Sequence, residues 1–187
     1  MQQYFEYKKF VFLDSEYTST HAKTTLISIG LVTLEGEELY ITLNDYDRDQ
    51  VSDWVLENVF RHIDESKSIT SHEACDKVSN FFKNYSNGEK ISIVSAGKNL
   101  DQILLFQLWH TKFSKLKYFS FERFLPHYLR HRSHFDLDTI FFMKGLNPDK
   151  IIREEFAGSP VEESIKKHNA LYDAKIVRHC FLKLMGD

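Results

Sequence analysis

Phe10-Val11-Phe12-Leu13-Asp14-Ser15-Glu16 decides how this chain folds. A short apolar run rich in β-formers ends on two acids, and residues 9–14 read as a buried strand. Side chains at i and i+2 of a strand point to one face, so Asp14 and Glu16 project together. Two carboxylates at the end of a buried strand need a cation or water to compensate their charge. A solvated strand end is the plain alternative. Asp45-Tyr46-Asp47, Asp47-Arg48-Asp49 and Asp136-Leu137-Asp138 repeat the acid-x-acid pattern, but no such apolar run leads into them.

The chain continues from this strand as a meander. Residues 24–34 form a second apolar strand, Glu35-Gly36-Glu37 a tight turn, and residues 38–43 a returning third strand. Helical spacing follows at 49–60 (Val51, Trp54, Val55, Val59) and at 71–85, with Ser71 as N-cap. Residues 90–96 read as a fourth strand and 99–111 as a helix. Further helices are expected at 121–131, 136–144 and 170–185, with a short strand near 118–120. Strands first and strand–helix alternation later predict an α/β fold: a mixed β-sheet, a three-stranded antiparallel meander plus parallel strands, flanked by α-helices.

With 187 residues, 42% of them hydrophobic, the chain can bury one substantial core. No internal repeat or Ser/Gly/Pro-rich linker divides it, so 1–187 is expected to form a single domain. No apolar stretch approaches the ~20 residues that span a bilayer, and the N-terminus lacks a signal-peptide pattern. Cys75 and Cys180 match no metal or redox spacing and read as reduced thiols of a cytoplasmic protein. A net charge of -3 argues against a general duplex-coating protein. It is compatible with a nuclease, because bound cations neutralise metal-binding carboxylates.

Three more residues complete a candidate site. Asp101 follows the fourth strand and Gly97, in the first turn of the next helix. The helix dipole favours an acid there, so a capping role is the alternative. His168 and Asp173 lie five residues apart, which puts them on different faces of a continuous helix. With Asn169 as N-cap, His168 instead sits on the preceding loop and Asp173 in the first turn. In isolation, His168 reads as a surface histidine.

Together, Asp14-x-Glu16, Asp101, and His168 with Asp173 resemble the motifs of the DEDDh 3'-5' exonucleases of the RNase H-like superfamily. Leu26–Val32, Trp54–Val59 and Gln107-Leu108-Trp109 are similar to the mycobacterial-type, adenosine-preferring 3'-5' exoribonucleases. The chain departs from many members in having Ala96-Gly97 in place of His-Asn, and Tyr17 in place of Thr after the first-motif Glu.

The resemblance implies two Mg²⁺ or Mn²⁺ ions held by Asp14, Glu16, Asp101 and Asp173, with Asp14 bridging and His168 as general base. It implies release of nucleoside 5'-monophosphates from the 3' end of single-stranded or short RNA, and a possible homodimer. Tyr17 is a candidate for base stacking or for core packing. Thr18, Lys98 and Asn99 are candidates for substrate contact. A locally basic run from Arg123 to His134 could guide a strand's backbone. Its His127, His131 and His134 suggest a zinc face only with little support, since no Cys lies near. Rival readings are a 3'-5' DNA exonuclease of proofreading or repair type, and a catalytically inactive RNase H-like binding module.

Overall fold

The computed structural model describes residues 9–97, 100–113, 125–159 and 166–186, with backbone alone at 131–133. β1 (Lys9–Tyr17) is central in a five-stranded sheet of order β3-β2-β1-β4-β5. β2 (Leu26–Thr33) and β3 (Glu38–Thr42) continue from it as the antiparallel meander. β4 (Ile91–Ser95) and β5 (Leu129–Asp136) add in parallel on its other side.

Alternation along β1 divides the core in two. Val11 and Leu13 face α2 (Ser71–Ser86) and α3 (Leu100–Phe113), where buried Trp109 donates to Ser79 Oγ at 2.9 Å. Phe10 and Phe12 face α6 (Ala170–Met185), their rings 5.2 and 5.3 Å from Phe181. α4 (Leu137–Met143) and α5 (Arg153–Ala157) complete that layer. α1 (Asp53–Asn58), capped by Ser52, packs Val55 against Ile27 and Tyr46. Among the described residues, no helix is long and apolar enough to cross a membrane.

The structure corrects several expected boundaries. β1 runs on to Tyr17, so Asp14 and Glu16 lie within the strand. Residues 49–60 do not form one helix. A 3₁₀ turn at Arg48–Gln50 is capped by Asp47, and Ser52 then starts a new helix. The N-cap of α2 is Thr70, which exchanges hydrogen bonds with Glu73 in a capping box. Ser71 is already helical and donates to Asp45.

The expected helix at 121–131 is not one. Residues 121–124 lie outside the described residues, and Leu129 onward is β5. Leu129 is buried, and His134 pairs with Ile93 and lies 2.8 Å from Ser95 Oγ. Sheet pairing thus overrides a pattern that mimicked helical spacing, and the zinc alternative loses its geometric basis. The expected strand at 118–120 lies outside the described residues.

One contact sets the distance between sheet and helices. Gly30 pairs with Asp14 across β1 and β2. The first turn of α6 lies directly on it: a Cβ at residue 30 would come 2.2 Å from the Ala170 carbonyl oxygen and 2.4 Å from Leu171 N. Both neighbours are backbone and cannot swing aside. Gly30→Ala must therefore lift α6 or bend β2, at the ~1–3 kcal/mol typical of overpacking or more. Urea denaturation should show this as a lower midpoint, and an unchanged midpoint would contradict the contact.

Candidate functional site

A cavity of about 770 Å³ opens beside Asp14 and Glu16 and extends to Gly97, just beyond β4. Neighbouring parallel strands end their carboxyl ends side by side, and α/β folds bind ligands at that edge. Asp14 and Glu16 reach the cavity from β1, Asp101 from the first turn of α3, and Asp173 from the first turn of α6. His168 reaches it from the loop before α6. All five candidate residues line this one space.

The chain turns sharply to present His168. Its φ of 67° is left-handed, uncommon for a residue with a side chain. Its backbone N–H donates to Asp173 Oδ2 at 2.9 Å, and Asn169 caps α6 by accepting from Tyr172 N at 3.1 Å. Trp54 stands edge-on to the imidazole, ring centres 4.9 Å apart. The preceding residue is held as well: Arg61 donates to the Lys167 carbonyl, and Lys167 Nζ pairs with Glu154 at 3.0 Å. Glu16, His168 and Asp173 each offer one donor atom, and these atoms all lie within 4.8 Å of one another.

Asp101 arrives differently. It is 5% exposed and accepts a 2.5 Å hydrogen bond from Ser15 Oγ. Ser15 lies between the two β1 acids and points to the opposite face of the strand. β1 therefore offers two carboxylates on the α6 face and fastens a third through its serine on the α3 face.

The acids repel one another. Burial, then the charges of Asp101, Asp173 and Glu16, holds the Asp14 carboxyl well above the usual carboxylate range. Burial and the charges of Asp173 and Asp101 push Glu16 up to about 8. Burial pushes Asp173 up to about 7, opposed by the hydrogen bond from the His168 backbone. Arg153 works against the rise at both Asp14 and Asp173. His168 is shifted down, first by burial and then by the positive charges of Lys167, Arg61 and His62. Carboxylates and one imidazole converging where positive charge is short fit a divalent cation, whose hard character favours oxygen donors.

The substrate candidates separate. Tyr17 lines the cavity, yet also packs on the core, and burial raises its phenol to about 12. Thr18 also borders the cavity, but its side chain is fully buried. Its hydroxyl donates to Gln50 and accepts from Thr25 N, which ties it to the loop after β1. Lys98 and Asn99 lie outside the described residues.

Arg153, Asp138, Glu154 and Lys167 line the cavity and were not singled out from sequence. Arg153 and Glu154 sit in a five-residue helix, too short for a periodic pattern. Asp138 belongs to the Asp136-Leu137-Asp138 triplet, which no apolar run precedes, so the sequence does not set it apart from other acid pairs.

Neither protein-family models nor curated proteins match this chain. Solved structures do. The zinc-ion-bound E. coli ExoI–ssDNA complex matches with a TM-score of 0.65 at 16% identity, covering 95% of this chain and 40% of that one. E. coli exonuclease I with a 5cy-dA13 oligonucleotide matches at 0.59 and the same identity. Cell-death related nuclease 4 (CRN-4) matches at 0.67 and 14% identity, covering 96% of this chain and 65% of that one. This chain thus spans well under half the length of the exonuclease I chains. At these identities the likeness shows the fold alone: a mixed five-stranded sheet flanked by helices, the architecture expected from the sequence, shared with these nuclease structures.

The raised acids have a measurable consequence. Without divalent metal, the folded protein keeps protons on Glu16 and Asp173 that the unfolded chain releases near 4.5 and 3.8. Stability should then fall as pH rises from those values through about 7 to 8, because the folded state binds more protons throughout that window. Mn²⁺ or Mg²⁺ should remove the fall by replacing the protons. Melting temperatures in chelator at pH 5.5, 7 and 8.5, repeated with metal, would test this; a metal-independent profile would refute it.

Proposed function

We propose that this chain is a metal-dependent 3'-5' exonuclease acting on single-stranded nucleic acid. The observation that carries the reading is the gathering of Asp14, Glu16, Asp101, Asp173 and His168 around one cavity. The likeness in fold to exonuclease I, solved with ssDNA, supports it.

Asp14, Glu16, Asp101 and Asp173 would hold two Mg²⁺ or Mn²⁺ ions, with Asp14 placed between the others' charges. Such ions, when bound, acidify the attacking water and neutralise charge on the phosphoryl group and the leaving 3'-oxygen. His168 takes the water's proton on a ring nitrogen. Its downward shift keeps that ring neutral, and so able to accept, near neutral pH. Asp173 fixes the backbone of the histidine, and Trp54 limits the swing of its ring. The product is a nucleoside 5'-monophosphate.

RNA is the substrate we favour, as short or single-stranded 3' ends with possible adenosine preference, on the similarity of residues 26–32, 54–59 and 107–109 to exoribonucleases. A DNA exonuclease is the second reading, favoured by the ssDNA in the exonuclease I structures. An inactive binding module is disfavoured because every expected acid and the histidine are in place.

His168→Ala and Asp173→Asn should each lower turnover by about 10²–10⁴-fold with the fold retained by circular dichroism. 5'-labelled RNA and DNA oligomers with different 3' bases would be incubated with Mg²⁺ or Mn²⁺. Stepwise shortening of RNA alone supports the exoribonuclease. Shortening of DNA alone supports the second reading, and internal cuts or full activity in both variants overturns the exonuclease.

A further inference from the structure

We infer that Arg153 is a phosphate-binding residue of this site, anchored at one end by Asp138 and presented across Gly97 to the strand being degraded. The inference rests on the exonuclease reading and adds a residue to it.

Three observations converge on Arg153. Its Nη2 lies 3.0 Å from both carboxylate oxygens of Asp138, in the first turn of α4. That anchor is itself fixed: Asp136 caps α4 by accepting from Thr139, and also accepts from Gly97 N at 3.0 Å. Nη2 thus faces the Asp138 carboxylate symmetrically, one N–H shared between its two oxygens, while Nε and Nη1 have no partner among the described residues. Among the described residues, the Nε and Nη1 donors of a rigid planar fork are left for a ligand, in the geometry that suits phosphate oxygens.

The guanidinium also lies against Gly97. A Cβ there would meet Arg153 Nη2 at 2.8 Å and Asp138 Oδ2 at 2.9 Å, and Gly97 has a φ of +80°. The backbone is bare at this point because the guanidinium fills the space of a side chain. Finally, Arg153 borders the same cavity as Asp14 and Asp173. A wall of acids repels an incoming polyanion, and a fixed cation on its rim gives one phosphate a place to sit. A plain surface ion pair would need neither the glycine nor a place in the cavity.

The test uses an Asp173→Asn background, which should bind strand without cutting it. Affinity for a labelled single-stranded oligomer is measured against salt in this background and with Arg153→Gln, Arg153→Lys or Arg48→Gln added. Arg48 pairs with Glu65 on an exposed surface and controls for loss of a charge. Arg153→Gln should weaken binding about tenfold and flatten the slope of log affinity against log salt by about 0.7, the value of one phosphate contact. Arg153→Lys should keep the slope but bind less tightly, and Arg48→Gln should change neither. An unchanged slope in Arg153→Gln overturns the inference, as does an equal loss in Arg48→Gln. Should Arg153→Gln unfold, Arg153→Met takes its place in the same comparison: a flattened slope supports the inference and an unchanged slope overturns it. Failure of the exonuclease reading shows separately, as a parent protein that neither shortens the oligomer nor binds it.

Discussion

The close approach of α6 to β2 at Gly30 governs this structure. Asp14 and Gly30 face each other across the sheet, and α6 starts where a side chain at 30 would stand. The missing Cβ lets a helix backbone touch a strand backbone. It thereby brings the first turn of α6, with Asp173, over the strand that carries Asp14 and Glu16. A helix resting on side chains would sit several ångströms higher, and its acid would not share a cavity with the others.

The second requirement is to hold like charges together. Each acid has its own tether: Asp101 to Ser15, Asp173 to the His168 amide, and Asp14 and Glu16 to the pleat of a paired strand. Two halves of the core, closed independently by Trp109 and Phe181, clamp the sheet from both faces. Repulsion at the site is thus opposed by packing distributed over the whole sheet. Marginal stability permits this only because a few acids remain protonated or paired with a cation.

Much of this was legible from residues alone. Apolar runs of alternating or continuous character mark β1, β2, β3 and β4, and Asn169 marks the start of α6. Asp14 and Glu16 follow directly on the apolar run Phe10–Leu13, and Asp101 and Asp173 fall in the first turns of expected helices, which with the family resemblance set them apart among 27 acidic residues. What escaped depends on partners distant in sequence. The start of β5, residues 129–131, reads as the end of a helix because its pairing with β4 leaves no local trace. Thr18 looks available until Gln50 and Thr25 occupy its hydroxyl. Arg153 is an ordinary charged residue until Asp138 and Gly97 surround it. Local physics writes the elements, while tertiary contacts decide which polar atoms are left over.

The cavity is built from segments far apart in the chain, β1 (Lys9–Tyr17) and α6 (Ala170–Met185). Ribosomes deliver chains in order. The acidic strand therefore emerges long before the helix that gives it a fourth carboxylate and its histidine. Until α6 has left the ribosome, the strand's acids stand without the carboxylate of Asp173 and the His168 that precedes it, so the full constellation forms only once these distant segments have met.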